Sequence, residues 1–162
     1  MKRPDSRWPD RREVERLLPD SRTAHDREVL ELYKDTRKDI ERRGGHVLAA
    51  VPENELKAWF NREKQYRYLE TGRRLDEVGK VQIAEYLHLA VVDGELKIPD
   101  VQLIVRDKEG EIKHVNLEGT SEHYRPGYVA KKDRAGFHSR EYTAKVRRVK
   151  DGPDVVGSLL GR

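Results

Sequence analysis

The stretch "IPDVQLIVRDKEGEIKHVNLEGT", residues 98–120, alternates apolar and polar side chains on both sides of a Lys-Glu-Gly loop, and no other part of the chain constrains the fold as tightly. Alternation with period two is the mark of a strand buried on one face. Three residues separate Asp107 from Glu111, and the last of them is a glycine. That form predicts a type I turn followed by a left-handed residue, with Gly110 supplying the positive φ. Such a turn sets the register. Asp107 should face Glu111, and Val105, Leu103 and Val101 should face Lys113, Val115 and Leu117 to make one largely apolar face. The reverse face then pairs Gln102 with Asn116 and Asp100 with Glu118. A two-residue loop would set Asp100 against Leu117 and break the alternation.

Two carboxylates directly across an antiparallel pair have Cβ atoms ~4.5–5.5 Å apart, and like charges in that position destabilise a sheet. Compensation is therefore expected. One acid keeps its proton, a hard divalent cation sits between the oxygens, or the two splay into water beside an arginine.

Elsewhere the period is helical. "TAHDREVLELYKDTRKDIERRGG" starts near Thr23, spaces Val29, Leu30, Tyr33 and Ile40 along one face and stops at Gly44-Gly45. "HVLAAV" at 46–51 is a continuous apolar run fitting a buried strand, closed by Pro52. Helical spacing returns through Leu56, Trp59 and Phe60, and again through Leu75, Val78, Ile83, Tyr86, Leu87 and Ala90. Beyond the hairpin the pattern predicts a helix from Pro126 to about Ser139, a strand over 142–149 and a short helix over 153–160. The expected class is α/β, a small mixed β-sheet flanked by helices. Residues 1–24, with three prolines and mixed charge, read as a flexible N-terminal arm, and 25–162 as a single domain.

Charge is uneven along the chain. Between Arg125 and Lys150 nine basic residues stand against two acids, a net of +7 within a chain whose total is +4. A basic segment on an otherwise slightly acidic chain fits contact with phosphates, and it equally fits a solvated charged face. The nucleic-acid-binding candidates are Arg125, Lys131, Arg134, Arg140, Lys145, Arg147 and Arg148. With no cysteine, a disulfide framework and a cysteine-ligated zinc site are excluded, and a reducing cytoplasm fits. No apolar run reaches the ~18 residues of a membrane span, and the first residues lack a signal peptide's apolar stretch. The six histidines have no metal-ligand spacing, and no phosphate loop, GxSxG elbow or dinucleotide fingerprint occurs.

The dipeptide Pro-Asp occurs five times, and only the copy at 99–100 opens a strand whose hairpin mate presents an acid in register. A Pro-Asp strand followed by a strand leaving as "EGT" resembles the active-site signature of the PD-(D/E)xK nuclease superfamily, with its restriction-endonuclease-like core. A longer pattern is similar to the plasmid replication-relaxation family: "AHDREVLELY", "HVLAAV", the "IPD" strand, the "VNLEGT" strand and "GYVAKKDRAGF", over roughly residues 25–140. The resemblance implies Mg²⁺ or Mn²⁺ held by Asp100 and Glu118, with the carbonyl of Gly119 as third ligand and Glu28 completing the acidic cluster. It also implies DNA as the partner. Thr120 stands where the superfamily has a lysine to orient the attacking water. Lys132 lies on the same helical stripe as Tyr128, Val129 and Ala135, and is the candidate to replace it.

Three readings stay open: a metal-dependent DNA nuclease or nickase of a plasmid or mobile element, an inactive nuclease-fold accessory binding DNA or a partner protein, and an interaction module using the aromatic helix "KAWFNREKQYRYLE". Trp59 and Phe60 are expected in the core. The arm is too short for a separate winged-helix reader, so targeting is expected from a protein partner.

Overall fold

A computed structural model describes residues 24–121, 135–142, 149–151 and 154–160. The elements in chain order are α1 (Ala24–Arg42), β1 (His46–Pro52), α2 (Glu53–Thr71), α3 (Glu77–Tyr86), β2 (Ala90–Val92), β3 (Glu95–Lys97), β4 (Val101–Arg106), β5 (Ile112–Ser121), β6 (His138–Tyr142), β7 (Val149–Asp151) and α4 (Val155–Leu160). Strands β1, β4, β5, β6 and β7 form one sheet in that order, and β2 pairs with β3 alone. All pairings in the large sheet are antiparallel except β5 with β6, so the sheet is mixed.

The hairpin forms in the expected register: Val101 faces Leu117, Leu103 faces Val115, Val105 faces Lys113 and Gln102 faces Asn116. Its turn has the expected chemistry. Gly110 has φ +87°, its N–H donates to Asp107 O at 3.0 Å, and Asp107 N donates to Glu111 O at 2.8 Å. The Asp107 carboxylate also accepts the N–H groups of Glu109 and Glu111 and pairs with Lys113, so the turn is tied from inside.

Both faces of the sheet are covered. On one, Val101, Leu103, Val105, Val115 and Leu117 pack against Val29, Leu32, Tyr33 and Ile40 of α1 and Val156 and Leu160 of α4. On the other, Ala49, Val51 and Ile104 pack against Leu56, Trp59 and Phe60 of α2 and Ile83 and Ala84 of α3. Ala50 belongs to the first core and its neighbours Ala49 and Val51 to the second, which is why β1 reads as an unbroken apolar run rather than an alternating one. Trp59 and Phe60 are core residues, as expected.

Three expectations need correction. The helical pattern through Ala90 stops at Tyr86: Leu87 is its C-cap and His88 takes φ +57°, which turns the chain into the β2–β3 hairpin. That hairpin turns on Asp93 and Gly94, both at positive φ, the Asp-Gly signature of a type I′ turn. His138 and Ser139 belong to strand β6, not to the end of a helix; the rest of the helix expected over 126–139 lies, up to residue 134, outside the described residues. Tyr142 and Val149 do not share one strand either. Tyr142 ends β6, Val149 begins β7, and the two face each other across an antiparallel pair. The short helix over 153–160 is present as α4.

Candidate acidic site at the end of the β4–β5 hairpin

Beyond the Val101–Leu117 pair the backbone ladder hands over to side chains. Asp100 N donates to Glu118 Oε2 at 3.1 Å, and Gly119 N donates to Asp100 Oδ2 at 2.8 Å. Each acid thus accepts an amide from the strand opposite, and the two are drawn to the same end of the hairpin.

Asp100 is anchored through its main chain as well. Helix α2 follows Pro52, whose side chain gives no cap, and the first helical amide, Glu53 N, donates to Asp100 O at 2.9 Å. One of the orphan donors at the helix start is satisfied by the residue that carries the acid. The N-terminus of α2 therefore fixes where Asp100 sits.

The compensating charge is His25, from the first turn of α1. Its Nε2 lies 3.2 Å from Asp100 Oδ2 and its Nδ1 3.4 Å from Asp26 Oδ1. The hydrogen bond to Asp100 outweighs the opposing effect of burial, and the fields of Asp100 and Glu118 add to it, so the imidazole pKa is pushed up from 6.5 to about 9. At neutral pH the ring is an imidazolium donating to Asp100. A cavity of about 210 Å³ opens over this cluster, lined by His25, Asp26, Val29, Asp100 and the start of α2. Asp100 is 10% exposed at its edge, and Glu118, at 3%, is buried.

Close approach at Gly119 makes the arrangement fit. A Cβ there would stand 3.2 Å from Val29 Cγ2, 3.8 Å from Asp100 Oδ2 and 3.9 Å from His25 Cδ2. With hydrogen in that place, α1 can lay Val29 and His25 directly on the strand carrying Glu118.

Of the other residues singled out in the sequence, Glu28 sits half-buried on α1, three positions after His25 and beside Val29. Thr120 continues β5, its main chain paired with Glu141 of β6, and Arg140 is paired in the same way beside Gly119. Arg125, Lys131, Lys132, Arg134, Lys145, Arg147 and Arg148 lie outside the described residues. Among the described residues no group of three or more His, Cys, Asp or Glu side chains is disposed to hold a metal ion, and no helix is long and apolar enough to cross a membrane. His25 is the residue that sequence reasoning missed. The apolar stripe of α1 begins at Val29, and one step of four residues back along the same stripe lands on the polar His25.

A second polar cluster lies on the α2–α3 face of the sheet. Gln102, 1% exposed, donates through Nε2 to Leu87 O, His88 O and Asn116 Oδ1 and meets His114 Nδ1 at 3.3 Å, while Asn116 donates to His88 O. The rings of His88 and His114 stack 3.6 Å apart with planes 8° from parallel. Stacked so, their lone pairs run side by side, and the pair is no chelate for a single ion. The cluster ties the chain after α3 to the sheet.

No protein-family model matches the chain, and searches of curated proteins and of solved structures find no significant match.

Proposed function

We propose that the chain is a nucleic-acid-associated protein with a PD-(D/E)xK-like core, in which Asp100 and Glu118 hold Mg²⁺ or Mn²⁺ for cleavage or nicking of DNA belonging to a plasmid or mobile element. The observation that carries the reading is the pair of crossed amide bonds, Asp100 N to Glu118 and Gly119 N to Asp100, which draws the two acids to the same end of the hairpin, with Asp100 lining an open cavity. A small set of carboxylates fits the way Mg²⁺ is commonly bound, since that ion keeps several waters and completes its shell on substrate phosphate. Such an ion would lower the pKa of a bound water and offset charge on the scissile phosphate. Gly119 O and Glu28 would complete the metal surroundings, Lys132 would stand in for the lysine that Thr120 replaces, and the basic residues from Arg125 to Arg148 would hold the backbone of the nucleic acid.

One observation favours a second reading, an inactive accessory of the same fold that binds DNA or a partner protein. His25 already supplies a positive charge at Asp100, and Thr120 brings none, so the acids are compensated without an ion. Incubation with supercoiled plasmid and Mn²⁺ separates the two. Conversion to nicked or linear DNA by the wild type, lost in Glu118→Gln and reduced in Lys132→Ala, supports the enzyme. Intact substrate under all conditions, with DNA retained in a gel shift, supports the accessory.

A further inference from the structure

Helices α2 and α3 each carry apolar residues on two sides. One side of each is in the core; on the other, Tyr68 (51% exposed), Val78 (66%) and Val81 (38%) face solvent. Tyr68, Leu75 and Val78 line a hollow of about 380 Å³ between the end of α2 and the start of α3, and an adjoining hollow of about 780 Å³ shares Tyr68 and Leu75. The acids around it are engaged within the protein. Glu63 pairs with Arg67, Asp76 caps Gly79 N, Glu77 pairs with Lys80, and Glu70 has a partner of its own. Three rim cations, Lys64, Arg73 and Arg74, have no ion pair among the described residues. What remains is an apolar floor rimmed by three cations without a carboxylate partner among the described residues, with the Asp76 carboxylate turned to its own helix start.

We infer that this α2–α3 groove is a docking site for an acidic amphipathic segment of a partner protein, with apolar anchors over Tyr68, Leu75 and Val78 and carboxylates toward Lys64, Arg73 and Arg74. The chemistry selects this occupant. Single-stranded nucleic acid is held by successive aromatic platforms, and this floor has one ring among aliphatic side chains. A second copy docking with the two-fold axis through the groove would bring Lys64, Arg73 and Arg74 of both copies into one shared interface. The chain's own first 23 residues contain more basic than acidic residues, which is the wrong sign. Branched aliphatic anchors with a charged rim are what a groove offers to a peptide helix. The groove lies in the C-terminal half of α2, and the Asp100 site lies at that helix's first residue, roughly 20 Å away along the helix axis. The inference is therefore independent of the metal and of cleavage.

A random 16-residue peptide library displayed on phage and selected on the 162-residue chain tests it. Enriched peptides should be net acidic with apolar residues three and four apart. Fluorescence anisotropy on one synthetic member should show at least about tenfold weaker binding to Tyr68→Ala and to the double variant Arg73→Glu/Arg74→Glu. Replacing that peptide's glutamates by lysine should restore binding to the double variant. These substitutions are at exposed positions, and circular dichroism verifies that the variants fold. Absence of enrichment, enrichment of basic peptides, or binding indifferent to the groove variants would overturn the inference. So would tighter binding of a 12-residue oligothymidylate through the same residues, or a concentration-dependent dimer abolished by Tyr68→Ala.

Discussion

The imidazolium of His25 is the feature of the acid site most open to direct measurement. Its pKa, raised from 6.5 to about 9, places it among groups whose charged form is favoured by folding. At about 1.4 kcal/mol per pKa unit the shift has a ceiling of ~3 kcal/mol. The side chain is 30% exposed, and solvent screening reduces the expected contribution to ~1–2 kcal/mol. Its sign follows from linkage. The folded pKa lies above the unfolded one, so the stabilisation is fully present below about pH 6.5 and is lost as pH rises through about 9. Two assays read it. The His25 Cε1–H resonance, followed by NMR from pH 5 to 10.5, should titrate near 9 in the wild type and well below that in Asp100→Asn, where burial opposes what Asp26 and Glu118 still contribute. In urea unfolding, the stability difference between wild type and His25→Gln should shrink by ~1–2 kcal/mol between pH 6 and pH 10. A wild-type midpoint near 6.5, or one that Asp100→Asn leaves in place, would refute the reasoning.

Two further perturbations probe the framework around the site. Gly119→Val adds a Cβ 3.2 Å from Val29 Cγ2 and two methyl groups beyond it; it should lower stability by ~1–3 kcal/mol, read as a lower Tm, and should also bring the His25 midpoint down by levering α1 off β5. On the other face, burial, reinforced by His88, depresses His114 to about 4, and burial lowers His88 as well. The unfolded chain then takes up protons first, so stability should fall as pH drops from about 6.5 to 4. At the half-buried His114 the screened loss is ~1–2 kcal/mol. Urea melts at pH 7 and 4.5 should show this loss in the wild type and a smaller one in His114→Gln.

Much of this site was legible because its geometry is local. A glycine at the third loop position fixes a turn, the turn fixes a register, and the register sets Asp100 near Glu118 with no knowledge of the rest of the chain. The unbroken apolar run of β1 announced a strand, though not that it would lie at a sheet edge between two helical layers. Strands of three residues left no periodicity at β2 and β3, and only the Asp93-Gly94 pair carried a signal there. His25 was hidden for a different reason. Its role depends on how α1 crosses β5, and that crossing depends on the missing side chain of Gly119, a tertiary fact spread over nearly a hundred residues of sequence. The left-handed turn at His88 is likewise supported by hydrogen bonds from Gln102 and Asn116 on distant strands.

Paramagnetic broadening by Mn²⁺ tests the central claim, that Asp100 and Glu118 form one cation site, most directly. Substoichiometric Mn²⁺ added to ¹⁵N-labelled protein should selectively broaden the amides of Asp100 and Gly119 and the ring signals of His25, and Glu118→Gln should abolish the effect. Broadening centred elsewhere, or none at Gly119 in the wild type, would contradict it.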